Sequence, residues 1–150
     1  MKIAIQTEDF DVSAELATMR RPQVGALVSF VGTVREATTG STQGITQLEL
    51  EHYPGMTEKS LAEIARQASE RWELQDIVII HRVGLLNVSD QIVLVAVASQ
   101  HRGTAFSACE FIMDFLKTEA PFWKKEVGAD GAKWVDARST DVSALSKWRQ

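Results

Sequence analysis

Residues 91–103 read QIVLVAVASQHRG and run straight into TAFSACEFIMDFLKTEA. The first part is an apolar run of strand length, apolar enough to be a central strand. The second part repeats apolar residues at helical spacing, at Phe106, Cys109, Met113 and Leu116, and so reads as a helix. Thr104 suits the N-cap of that helix. A buried strand that passes directly into a long helix places the chain among mixed folds.

The remaining segments complete that class. KIAIQ alternates as a first strand, followed by a short helix near Ser13 to Met19 with Ser13 as its cap. Val24 to Arg35, VGALVSFVGTVR, is β-rich and buried on at least one face. EATTGSTQG, residues 36–44, has two glycines, four Ser or Thr residues and no apolar period, so it is the expected mobile loop. ITQLELEHY forms a strand, and PGM turns the chain into a helix from about Thr57, its expected N-cap, to Trp72. DIVIIHRVG and the apolar run at 91 are two strands joined by a turn in LLNVSD. Asp130-Gly131 between β-compatible flanks signals a hairpin, and DVSALSKWRQ reads as a short terminal helix or tail. Without internal repeats, residues 1–150 read as a single α+β domain.

Length and charge narrow the function. A chain of 150 residues buries roughly 70% of the surface its unfolded form would expose, so the fold needs no staples. One cysteine, Cys109, rules out an internal disulfide or a CxxC site and points to a reducing compartment. The N-terminus lacks a signal-peptide core, and no apolar run approaches membrane-spanning length, so the expected location is cytoplasmic with no membrane contact. A net charge of −4 disfavours a nucleic-acid binder, which needs a broad basic face.

Within this acidic chain the cations gather locally. His101 and Arg102 stand where a strand meets a helix N-terminus, and free N–H groups with the positive end of the helix dipole suit a phosphate or carboxylate there. An ordinary ion pair for Arg102 and a turn cap by His101 explain the same residues equally well. In LKTEAPFWKKE, Lys117 lies one turn beyond Met113, Pro121 stops the helix, and Phe122 and Trp123 supply an apolar wall beside Lys124 and Lys125. Three crowded cations beside apolar surface favour loss of a proton, which makes one lysine a usable acid, base or nucleophile. The plainer reading is a solvated helix end whose lysines complement the dipole. Arg35 closes a strand at the expected mobile loop, a place from which an arginine can clamp a ligand, although such residues are more often surface ion pairs. Gly32 marks either a close backbone approach or a bulge. His52, His81 and His101 lack metal-ligand spacing, and Cys109 falls on the apolar helix face as a core residue.

The segments FVGTVR, LELEHYPGM, HRVG, ASQHRGTAFSACEFIMDFLKTEAPFWKKE and WVDAR, in this order and spacing, resemble the large, catalytic subunit of molybdopterin synthase. The resemblance covers nearly the whole chain, and HR followed by K-x-x-x-P-x-W-K-K is its specific part. It implies an α/β hammerhead fold with additional antiparallel β-strands. It also implies a homodimer within a heterotetramer, each end holding a small ubiquitin-like sulfur-carrier subunit with a Gly-Gly C-terminus. The carrier's thiocarboxylate would deliver two sulfurs to cyclic pyranopterin monophosphate, giving molybdopterin. No metal or redox cofactor is implied for this subunit, since the metal enters later.

Residue by residue, the resemblance makes Lys117 the lysine nearest the thiocarboxylate and Lys124 a second lysine needed for activity. Arg35, His101 and Arg102 would surround the pterin and its phosphate, some of them supplied across the dimer. Thr33, Val34, Lys125 and Glu126 match neighbouring pocket positions, and Arg138 an arginine near the dimer contact. The chain departs from the family in EATTG after Arg35, where an asparagine is usual. A different class fits the same basic pocket: a non-catalytic module that docks a ubiquitin-like tail and senses an anionic nucleotide-like ligand. Sulfur incorporation discriminates the two.

Overall fold

Gly84, at φ +92°, redirects the chain out of one sheet and into another, and the architecture divides around it. The structure is a computed structural model that describes residues 1–36, 45–128, 131–135 and 143–149. The expected mobile loop lies almost wholly outside the described residues, as does Arg138.

In chain order the elements are β1 (Lys2–Gln6), α1 (Val12–Thr18), β2 (Ala26–Thr33), β3 (Ile45–His52), α2 (Met56–Arg71), β4 (Asp76–Arg82), β5 (Gly84–Asn87), β6 (Gln91–Ser99), α3 (Arg102–Glu119), β7 (Phe122–Gly128) and β8 (Gly131–Val135). The first sheet has the order β1-β4-β6-β2, with β1 parallel to β4 and the other pairs antiparallel. The second is antiparallel throughout, in the order β5-β3-β7-β8. The α+β reading and the additional antiparallel strands are borne out.

The run at 91 is central, as its composition demands. Val93, Val95 and Val97 of β6 pack with Ile77 and Ile79 of β4 against α2 and α3, while Leu94, Ala96 and Ala98 pack on the opposite face with Phe10 and Met19 beside α1. Each fully buried Val or Leu contributes ~1.5–3 kcal/mol relative to exposure, so this two-faced burial dominates the stability of the first sheet. Cys109 belongs to this core: it is buried, its Sγ lies 3.7 Å from the Val95 carbonyl oxygen, and burial pushes its thiol up to about 11. A smaller cluster of Val34, Leu48, Leu50 and Leu86 closes one face of the second sheet.

Several local expectations change. LLNVSD holds more than a turn, because Gly84–Asn87 is itself a strand and the reversal follows it, with Ser89 at φ 77°. Helix α1 is capped by Asp11, whose carboxylate accepts the Ala14 N–H at 3.1 Å, rather than by Ser13. Helix α2 starts after Gly55, with the Glu58 carboxylate accepting the Gly55 N–H, so Thr57 is not its cap. Helix α3 starts at Arg102 with His101 as N-cap, three residues ahead of the expected cap Thr104. At Gly32 both readings hold: the β2–β6 register shifts there, and a Cβ would stand 2.8 Å from a Val93 methyl. The expected hairpin is present as the antiparallel β7–β8 pair, whose register ends with Gly128 opposite Gly131, while Asp130 lies outside the described residues. Near the C-terminus Leu145–Trp148 forms a 3-10 turn, with Trp148 packed edge-on to Trp72 and Phe111.

Candidate active site

The junction between α3 and β7 builds the site. Ala120 leaves the helix in an extended conformation, Pro121 has no N–H to continue it, and the Phe122 N–H donates to the Ala120 carbonyl at 2.9 Å. The chain thereby passes from the last turn of α3, which carries Lys117, directly into β7. Buried Thr57 braces this junction from α2: its hydroxyl donates to the Pro121 carbonyl at 3.0 Å and accepts the Tyr53 N–H at 2.9 Å.

Strand alternation then sorts the residues of β7. Phe122, Lys124 and Glu126 pair with His52, Leu50 and Leu48 of β3, so they share the face on which Leu48 and Leu50 are buried. Trp123 and Lys125 pair with Glu51 and Glu49 and share the opposite face. There the Lys125 ammonium lies 5.3 Å from the ring centroid of Trp134, its partner on β8. The expected crowding of three lysines is therefore corrected to two. Likewise only Phe122 belongs to the dry wall, since Trp123 is 46% exposed on the far side.

His81 lies beneath the lysines. It is the last buried residue of β4, opposite Val93 and on the α3-covered face of the first sheet. Its imidazole stacks on the Phe122 ring at 3.8 Å and 17° and thus ties one sheet to the other. Burial, then the charges of Lys117, Lys124 and His52, hold it down to about 4 against an opposing hydrogen bond to the Arg82 carbonyl, so it is neutral near pH 7. Sequence reasoning weighed His81 only as a metal ligand. The HRVG segment at the end of an apolar strand was the available signal.

Because β2 and β6 are antiparallel, Thr33 stands opposite Gln91, so Thr33 and the following Arg35 lie at the same end of the first sheet as His81 and Lys117. Val34 is pinned by backbone hydrogen bonds to Ser89 and Asp90 and its side chain is buried with Leu48, Leu50 and Leu86; it supports the site from within its wall. His101 and Arg102 occupy the opposite end. They are exposed, and no acid stands in the first turn of α3 to neutralise them. The 15 residues from Arg102 to Lys117 correspond to about 22 Å of helix rise. One chain therefore brings Arg35, His81, Lys117, Lys124 and Glu126 to one end and leaves His101 and Arg102 at the other. Among the described residues Arg35, His101, Arg102 and Lys117 make no side-chain hydrogen bond or ion pair, so the ordinary ion-pair reading of the two arginines finds no partner there.

Residues 5–119 match the family described as MoaE protein. The chain belongs to this family. A molybdopterin synthase catalytic subunit from Ralstonia nicotianae is 63% identical over 97% of this chain and 83% of its own length. One from Vibrio cholerae is 51% identical over 98% of this chain and 97% of its own length. Among solved structures, the molybdopterin biosynthesis MoaE protein from Burkholderia ambifaria superposes with a TM-score of 0.84 at 56% identity, covering 99% of this chain and 98% of its own. The MoaE fold extends to the Helicobacter pylori protein–protein complex of subunits 1 and 2 of molybdopterin-converting factor, with a TM-score of 0.70 at 20% identity over 92% of this chain and 91% of that one.

Proposed function

We propose that this MoaE-family chain is the catalytic subunit of molybdopterin synthase, a sulfurtransferase that moves two sulfurs from the thiocarboxylate of a small ubiquitin-like carrier to cyclic pyranopterin monophosphate. The observation that carries it is the shared end of α3 and β7, where Lys117 and Lys124 stand beside neutral His81 and the Phe122 ring. Two ammonium groups at a partly dry wall stabilise negative charge that develops as sulfur attacks and the cyclic phosphate opens, and one of them donates a proton. Arg35 supplies a further cation at that end, and Glu126 shares the Lys124 face.

His101 and Arg102 complete the site from a second copy of the chain. Phe30 on edge strand β2 and Phe106 on α3 are 41% and 61% exposed and lie between the two ends, an apolar strip suited to self-association. With the two-fold axis through that strip perpendicular to α3, the helix is reversed in the second copy, so the Arg102 end of one copy faces the Lys117 end of the other. The carrier's Gly-Gly tail enters from the lysine end, and the assembly is a heterotetramer.

The test is turnover with thiocarboxylated carrier and cyclic pterin. Replacing Lys117 with Ala lowers product formation at least about 100-fold while the dimer stays folded. Wild-type turnover in Lys117→Ala would end this assignment, and binding of carrier and pterin by the native chain without product would favour a non-catalytic docking module.

A further inference from the structure

His81 is a buried titratable side chain at the lysine end of α3 for which the sulfur-transfer chemistry supplies no role. Its Nδ1 lies 2.8 Å from the Arg82 carbonyl oxygen. A carbonyl only accepts, so Nδ1 carries the hydrogen and Nε2 keeps its lone pair. Phe122, stacked at 3.8 Å, prevents the ring from turning out of that arrangement. The charged and titratable groups around the ring are Lys117 of α3, Lys124 of β7 and His52 of β3, with Arg82 next to it on its own strand. Of the acids at this end, Glu58 of α2 lies 3.4 Å from His52 and accepts the Gly55 N–H, and Glu126 shares the Lys124 face of β7. Lys117 makes no hydrogen bond or ion pair among the described residues, and its four-carbon stem lets the ammonium turn towards the ring.

From this placement we propose that His81 is a positioning residue: its neutral Nε2 accepts a hydrogen bond from the Lys117 ammonium and aims that group into the space shared with Lys124. The proposal rests on Lys117 as a reacting lysine. An acceptor that stays uncharged orients the lysine without adding a third positive charge, whereas a protonated imidazole would offer no acceptor and repel both ammonium groups. The gain is geometric, since a lysine confined to one rotamer spends less entropy in reaching the reacting atoms.

Two measurements on the intact protein test it. The first follows the imidazole nitrogens by 15N NMR near pH 7. The native protein shows His81 as the Nδ1–H tautomer, and its Nε2 resonance moves in Lys117→Ala well beyond the change in Lys124→Ala. An Nε2 resonance that ignores loss of Lys117 overturns the proposal. The second compares His81→Phe, which keeps the stack without an acceptor, with His81→Gln, which returns an acceptor near the Nε2 position. The Phe variant loses about tenfold in kcat with the carrier KM unchanged, and the Gln variant regains most of it. Losses in both variants that simply track their melting temperatures overturn the proposal and leave His81 as packing. If His81→Phe does not fold, the NMR comparison decides. Should Lys117→Ala retain full turnover while the Nε2 resonance still moves, positioning stands and the reading of Lys117 as a reacting lysine is what fails.

Discussion

Lys124 and Lys125 are neighbours in sequence and face opposite sides of β7, one towards Leu50 and the other towards Glu49 and the Trp134 ring. A row of cations in the sequence suggests one pocket, but the strand period of two divides them. The lysines themselves were legible because Pro121 marks the helix end by its missing N–H. His81 was not, because the stack that fixes its ring joins β4 and β7, strands far apart in sequence. Its burial has a consequence for acid stability. The folded imidazole is lowered to about 4 from an unfolded value of 6.5. Between those values the unfolded chain binds the extra proton, so stability rises with pH through this window and is lost as pH falls. The His81 contribution between pH 7 and pH 5 is about 2 kcal/mol. Urea midpoints measured at both pH values for the native protein and for His81→Phe isolate it. The native protein loses more on acidification than the variant, and equal losses would mean that His81 is not buried as a neutral ring.

At the scale of elements, the start of α2 governs the exit of α3. Serine and threonine near a helix start invite assignment as caps, yet a cap depends on the angle at which the chain enters the helix. Gly55, at φ +85°, sets that angle for α2, which frees the Thr57 hydroxyl to bridge Tyr53 and Pro121. The same difficulty hid β5, whose four residues are too short to show a period and whose direction is set by Gly84. Long periodic elements such as α2, α3 and β6 were legible for the converse reason. Replacing Thr57 by Val keeps the volume and removes the hydroxyl, leaving a buried carbonyl and an N–H short of a partner, at a cost of about 1–3 kcal/mol. Thermal unfolding should show a drop of roughly 2–4 °C per kcal/mol for a chain of this size. Turnover per folded enzyme falls as well, because the Pro121 junction places Lys117 relative to Lys124. Thr57→Ser restores both, and a Val variant with native melting temperature and turnover would show that the bridge carries no strain from α2 to the site.

At the scale of the molecule, α3 is both the connection between the two cationic groups and the reason they cannot meet in one chain. Sequence spacing puts His101-Arg102 and Lys117 within one segment, and only the helix rise of about 22 Å reveals that they stand at opposite ends. If each site combines Arg102 of one copy with Lys117 of the other, two inactive variants must rescue each other. In a dimer of Arg102→Ala with Lys117→Ala, one site carries both defects and the other carries neither. Such heterodimers, purified through two different tags, should therefore show about half the turnover of the native dimer, although each homodimer is inactive. A site contained within one chain gives the opposite result, since every site then holds one defect. Turnover of the heterodimer at the level of the parent variants would mean that Arg102 of one copy does not serve the Lys117 site of the other, and the apolar strip of Phe30 and Phe106 would lose its connection to catalysis.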